Sequence, residues 1–226
     1  MLLVAEQRLF SSELPLAPTV AEFVADLSHE EVLGWQHMPR YTRAGYLLTS
    51  LSTELREELQ AWHAGASRQP EPRNGHLQGR IEIASLSGSS LEARLRDHLE
   101  GLLERWTGER GLEWSNSYGP RTYYRGATLA AHGDRIATHA LSAIVFIGEE
   151  EHAQPWPLQF VPVNAREQDR VQQVVFSPEE DVLLYESTQP HGRIWPLEGA
   201  SYSAVFFHWR PLGWHEAAAE LTAING

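Results

Sequence analysis

The sequence predicts a mainly β domain with supporting helices, folded as a double-sheet jelly roll. Two observations carry this. Short runs rich in Val, Ile, Phe and Tyr recur between turn residues after Leu112. Helical periodicity is confined to the first half of the chain and to its tail. At 226 residues the chain has room for one substantial core and at most two small domains.

Within residues 1–90, Val20–Leu27 and Ser52–His63 read as helices. The second places Leu55, Leu59 and Trp62 on one face, at helical spacing. Trp35–Tyr46 is aromatic and irregular. Gly65–Gly79 is polar and rich in Gly and Pro, which reads as an exposed loop. This region is expected to pack on the barrel as a wall or lid. The core, residues 91–211, opens with the clearest helix. Leu95, Leu99, Leu102, Leu103 and Trp106 form one stripe, and Ser89 followed by Glu92 fits a capping box. Strands are expected at Thr138–Ile147, Leu158–Val163, Val171–Phe176, Asp181–Glu186 and Tyr202–Trp209. Strands after a helical half suit two packed sheets with helices on a face. The tail, 212–226, is rich in Ala and Glu and reads as helical.

Composition narrows the function. With 18 Lys+Arg against 30 Asp+Glu, the formal charge is −12. That field disfavours nucleic acid and anionic membranes as partners. There is no cysteine, so disulfides, thiolate catalysis and Cys-ligated metal sites are excluded. No apolar run is long enough to cross a bilayer, and the N-terminus lacks the basic region of a signal peptide. A cytoplasmic location is expected. Any metal must be held by His and carboxylates.

His132-Gly133-Asp134 offers such a pair just before the strand expected from Thr138. In an extended segment residues i and i+2 share a side, so an imidazole and a carboxylate at that spacing can grip one cation. His191, between two expected strands, offers a third ligand. Two His and one carboxylate on one face leave open positions, the arrangement of non-haem Fe(II) oxygenases. With 11 His in the chain, a downstream His is easy to find. Pattern alone leaves a metal site and a solvated loop as comparable accounts.

The wider context adds a resemblance. YGPRTYYRGATLAAHGDR (118–135), THALSAIVFIG (138–148), PWPLQF (155–160), DVLLYES (181–187) and HGRIWPLEGASYSAVFFHWRP (191–211) resemble, in order, the Fe(II)/2-oxoglutarate-dependent dioxygenase superfamily, in its prolyl-4-hydroxylase-like branch. The resemblance implies a cupin-like double-stranded β-helix with iron on His132, Asp134 and His191. It implies Fe(II), 2-oxoglutarate as cosubstrate and dioxygen, with hydroxylation or desaturation of an unactivated C–H bond. The substrate would be an amino acid, a peptidyl residue or a small natural-product intermediate. The related halogenases replace the carboxylate ligand with a small residue, so Asp134 favours oxidation over halogenation.

The match departs from the family where the cosubstrate's distal carboxylate is usually anchored. The expected basic residue falls near Ser201, and no Lys or Arg lies between Leu197 and Trp209. An anion in a partly dry site needs a cation or several donors. Arg193 is the nearest candidate, with Arg121, Arg125 and Arg135 on the other flank. Tyr124 and Ser201 are candidate hydrogen-bond partners of the cosubstrate, and Arg135 of a substrate carboxylate. His139 and His208 read as packed core residues, His152 and Glu149–Glu151 as a solvated turn. Trp156, Trp195, Trp209 and Trp214 are expected to pack the barrel ends. Two other readings stay open: a non-catalytic jelly-roll module that binds a metal or ligand, and an iron oxygenase that does not use 2-oxoglutarate.

Overall fold

In the computed structural model, residues 14–72, 75–151 and 155–224 are described. Two short helices lead: α1 (Val20–Phe23) and α2 (His29–His37). Each starts at a full capping box, Thr19 with Glu22 and Ser28 with Glu31. Two longer ones follow, α3 (Thr53–Gly65) and α4 (Ser90–Thr107). The α4 cap differs from the expected box. The Ser89 hydroxyl accepts from the Glu92 N–H at 3.0 Å, but the Glu92 carboxylate turns to the Gly88 N–H at 2.6 Å. Gly108 stops the helix at φ 82°, a left-handed conformation open to glycine. The tail forms α5 (Trp214–Ile224), whose Trp214 and Ala218 pack on Met38 and Ile136.

Between these lie β1 (Tyr46–Thr49), β2 (Gln69–Pro70), β3 (Leu77–Gln78), β4 (Ile81–Ile83), β5 (Glu113–Tyr124), β6 (Thr128–His132), β7 (Leu141–Glu150), β8 (Leu158–Phe160), β9 (Gln172–Val174), β10 (Val182–Glu186), β11 (His191–Arg193) and β12 (Ser201–Arg210). They make a seven-stranded sheet, β1-β10-β7-β12-β5-β4-β2, and a five-stranded sheet, β3-β6-β11-β8-β9. The paired strands run antiparallel in both. This is the expected jelly roll.

The alternation of β7 explains the layers. Leu141, Ala143, Val145 and Ile147 face the helices, where the α4 stripe Leu95, Leu99 and Leu103 is fully buried. Ile144 and Phe146 face the other sheet, among Leu158, Phe160, Tyr185 and Tyr202. Both faces are covered, so the strand reads as a continuous apolar run. Each fully buried leucine of α4 contributes about 1.5–3 kcal/mol. On the far side, Val20 and Phe23 of α1 cover Val161 and Val171.

Several boundaries differ from the sequence reading. Residue 90 does not divide two structural units: β1, β2 and β4 extend the large sheet, and β3 extends the small one. Strands of two to four residues carry no periodic signal. Trp35–Tyr46 is not irregular throughout, since it holds the end of α2 and the start of β1. The polar stretch 65–79 bridges the sheets through β2 and β3. The strand expected from Thr138 begins at Leu141, because the Thr138 and His139 N–H groups turn back onto the Arg135 carbonyl. Among the described residues, no helix is long and apolar enough to cross a membrane.

Candidate metal centre

The small sheet brings two histidines together. β11 pairs with β6 so that His191 stands opposite His132. Gly192 allows the approach: a Cβ there would meet the Ala130 carbonyl oxygen at 2.9 Å and the Ala131 Cα at 3.0 Å. Asp134 follows just beyond β6, its N–H bonded to the Ser187 carbonyl at 2.9 Å. One ligand atom from each of His132, Asp134 and His191 lies within 4.8 Å of the others. The Asp134 Oδ1 is 3.8 Å from the His132 Nε2 and 3.9 Å from the His191 Nε2.

The donors are set for a cation. The His132 Nδ1 donates to the Ala130 carbonyl at 3.0 Å, and the His191 Nδ1 to the Gln189 carbonyl at 2.9 Å. That fixes the tautomers and leaves both Nε2 lone pairs facing Asp134. Burial, with His191 beside it, lowers the His132 pKa to about 3, so the ring is neutral at ordinary pH. Burial alone would raise the Asp134 pKa; the neighbouring His191 outweighs it, and the carboxyl is held below its ordinary range. Two imidazoles and one carboxylate, converging from one side, suit a divalent cation with open positions.

Further side chains frame the triad. The Tyr185 hydroxyl donates to the Asp134 Oδ2 at 2.9 Å, and its ring meets His191 edge-on at 5.0 Å. His76, from the stretch between β2 and β3, stacks on His132 at 4.9 Å and faces Glu31 at 3.7 Å. No spacing rule singles out Tyr185 or His76. Tyr185 reads as strand core and His76 as loop.

Behind His191 a narrow lumen runs between the sheets, lined by His191, Arg193, Tyr123, Leu129, Ile144, Leu158, Tyr202, Ala204 and Phe206. Arg193 is only 3% exposed. It donates to the Trp156 carbonyl, and to the Tyr202 hydroxyl at 2.6 Å. Its guanidinium lies 4.3 Å from the Tyr202 ring centroid, 4.6 Å from Trp156 and 5.7 Å from Phe176. No acidic side chain pairs with it among the described residues.

Other expected site residues fall elsewhere. Tyr124 turns its hydroxyl to Glu82 at 2.7 Å, with Arg80 stacked on its ring. Ser201 is its register partner on β12, while the lumen takes Tyr202, Ala204 and Phe206 from that strand. Both expectations are one residue out of phase, and Tyr123 and Tyr202 hold the inward positions. Arg121 is paired with Glu71 at 3.0 Å, and Arg125 is on the surface beside Glu151. Arg135 is exposed. His139 and His208 pack ring to ring at 3.8 Å, and the buried His208 bonds to Ser142 at 2.7 Å. Trp156 backs Arg193, Trp209 lies in the helix-facing core and Trp214 under α5. His152 lies outside the described residues. A groove of about 710 Å³ between α3 and β4–β5 shares no residue with the triad. The donor set, not groove size, locates the chemistry.

No protein-family model matches the chain, and no curated protein matches it. Solved structures do. HygX from Streptomyces hygroscopicus, with nickel, 2-oxoglutarate and hygromycin B bound, aligns at 17% identity and a TM-score of 0.57, covering 76% of this chain and 84% of that one. A Pseudomonas putida prolyl-4-hydroxylase aligns at 16% identity and 0.52, covering 86% and 98%. A Trichoplax adhaerens prolyl hydroxylase, in complex with a hypoxia inducible factor peptide, aligns at 15% identity and 0.51, covering 80% and 87%. At these identities the likeness is one of fold, and it agrees with the resemblance carried by residues 118–211.

Proposed function

We propose that the protein is an Fe(II)- and 2-oxoglutarate-dependent oxygenase. It would hydroxylate or desaturate an unactivated C–H bond of an amino acid, a peptidyl residue or a small natural-product intermediate. One observation carries the reading: His191 of the His132–Asp134–His191 triad lines the same lumen as Arg193, a buried arginine with no acidic partner among the described residues. Bound Fe(II), with dioxygen and 2-oxoglutarate, would supply the oxidising power, the oxoacid leaving as succinate and carbon dioxide.

The chain's own residues do the positioning. His132, Asp134 and His191 converge from one side and would hold the metal, which would offer open positions to the oxoacid and dioxygen. Arg193 supplies the cation missing near Ser201. Its N–H groups not engaged by Trp156 and Tyr202 can take the distal carboxylate, and the Tyr202 hydroxyl stands beside them. Trp156, Tyr202 and Phe176 exclude water around that pair, which strengthens it. Arg135, exposed next to the ligand Asp134, is placed to meet an acidic group of a substrate. The hygromycin B and peptide complexes of the fold's other members support a small-molecule or peptidyl substrate. Asp134 supports oxidation rather than halogenation.

The test is anaerobic titration of the Fe(II)-loaded protein with 2-oxoglutarate, following the visible charge-transfer band of the chelate. The band is expected in the wild type and absent in His132→Ala. Bound iron without a band would overturn the 2-oxoglutarate assignment. Oxygen uptake without any oxoacid would then point to another iron oxygenase, and no turnover at all to a binding module.

A further inference from the structure

The Asp134 carboxylate has two oxygens with different surroundings. Oδ1 faces both imidazole Nε2 atoms, at 3.8 and 3.9 Å. Oδ2 accepts the Tyr185 hydroxyl at 2.9 Å. Tyr185 cannot easily swing away. It is 1% exposed, it sits on β10 between register partners Tyr46 and Ser142, and its ring edge abuts His191. The same strand end holds the Asp134 backbone through the Ser187 carbonyl. Backbone and side chain of the ligand are therefore fixed by one stretch of the large sheet, although the ligands themselves belong to the small sheet and its extension.

A free carboxylate beside a divalent cation can chelate through both oxygens. One whose second oxygen is occupied by a fixed donor binds through the first alone. We infer that Tyr185 is a positioning residue that restricts Asp134 to a single metal-facing oxygen, and so keeps an adjacent coordination position free for the oxoacid or dioxygen. This rests on the oxygenase reading. Outer partners of metal ligands change metal affinity by about 10–100-fold when removed.

The experiment compares wild type, Tyr185→Phe and Ser142→Ala, each loaded with Co(II). It records metal affinity by competition with a chromophoric chelator, the Co(II) ligand-field spectrum, and 2-oxoglutarate affinity of the loaded protein. Ser142 contacts Ser187, His208 and the Tyr185 hydroxyl but no ligand oxygen, so its variant keeps the Tyr185–Asp134 bond and reports disturbance of the surroundings. Tyr185→Phe is expected to change metal affinity by about 10–100-fold, to shift the ligand-field bands and to weaken the oxoacid. Ser142→Ala is expected to leave the bands in place. Bands and affinities in Tyr185→Phe that match wild type would overturn the inference, as would equal shifts in both variants. A wild type that binds no metal would sink the oxygenase reading itself, whereas a metal-binding wild type with an unaltered Tyr185→Phe would sink only the role of Tyr185. Should Tyr185→Phe fail to fold, 3-fluorotyrosine at position 185 keeps the ring and changes the strength of the bond. An unshifted Co(II) spectrum there would equally overturn it.

Discussion

Two arginines, Arg193 buried and Arg121 half-buried, each reach a tyrosine that lines one lumen, and they are treated in opposite ways. Arg121 and Arg193 each bond to a tyrosine hydroxyl, Tyr123 and Tyr202, and those tyrosines are register partners on β5 and β12. Both guanidiniums lie over aromatic rings. Arg121 has its counter-charge built in: Glu71, with only 3% of its side chain exposed, pairs at 3.0 Å. Arg193 has none among the described residues. A buried ion is costly unless paired, so the difference separates structure from function. The first arginine ties the stretch between β2 and β3 onto the barrel. The second suits the proposed role of meeting an anion that arrives from outside.

The most damaging change should fall on the paired arginine. Arg121→Met leaves the buried Glu71 carboxylate with the Tyr118 hydroxyl but without its counter-charge, and is expected to lower stability by about 3–5 kcal/mol in urea unfolding. Adding Glu71→Leu removes the stranded charge and should recover most of it. A double variant as unstable as the single one would break the comparison.

Arg193→Met should do the reverse. No stranded acid remains, and Met fits among Trp156, Tyr202 and Phe176, so the metal-free protein is expected to keep its stability or gain a little. Affinity for 2-oxoglutarate, read from the anaerobic chelate band, should fall at least about 100-fold, or ~2.7 kcal/mol. An unchanged band would move the anchoring role away from Arg193.

These residues also mark how far the sequence could be read. The candidate ligands were legible in part, because His-x-Asp in extended backbone puts both side chains on one side while the choice of His191 leaned on the wider resemblance, and the α4 stripe was legible because its period is unambiguous. Phase along a strand was not. Tyr123-Tyr124 and Ser201-Tyr202-Ser203 offer a similar side chain on either face, and cross-strand register, set by distant residues, decides which points inward. Arg193 was located by its spacing from His191, but that no acidic side chain among the described residues pairs with it is a three-dimensional fact. Glu71 and His76 were hidden because a polar, Gly- and Pro-rich stretch gives no sign that two of its side chains are anchored.

The contact that joins the ligand strands tests whether the triad depends on close backbone approach. Gly192→Ala puts a methyl against the Ala130 carbonyl and pushes β6 from β11. Overpacking of this kind costs about 1–3 kcal/mol. Calorimetric metal titration should show weaker binding, since His132 and His191 separate. Wild-type metal affinity would mean that the strands give way without moving the ligands.

The smallest effect concerns buried groups that carry no charge at all, and it bounds how much of the molecule's acid sensitivity belongs to the arginine pairs. Burial, then His139, lowers the His208 pKa to about 3; burial, then Arg68, lowers that of His63 to about 4. In the unfolded chain both return to about 6.5. Below that pH the unfolded state takes up protons that the native state refuses, so stability falls as pH drops from about 6.5 towards each folded value. Between pH 7 and pH 5 each histidine should remove about 2 kcal/mol. Urea midpoints of the metal-free protein across that range measure the slope. His63→Leu, remote from the triad, should flatten it by its own share and leave the rest. A slope unchanged by that substitution would mean that His63 is protonated in the fold, and that its place beside Arg68 is more open to water than its 9% exposure implies.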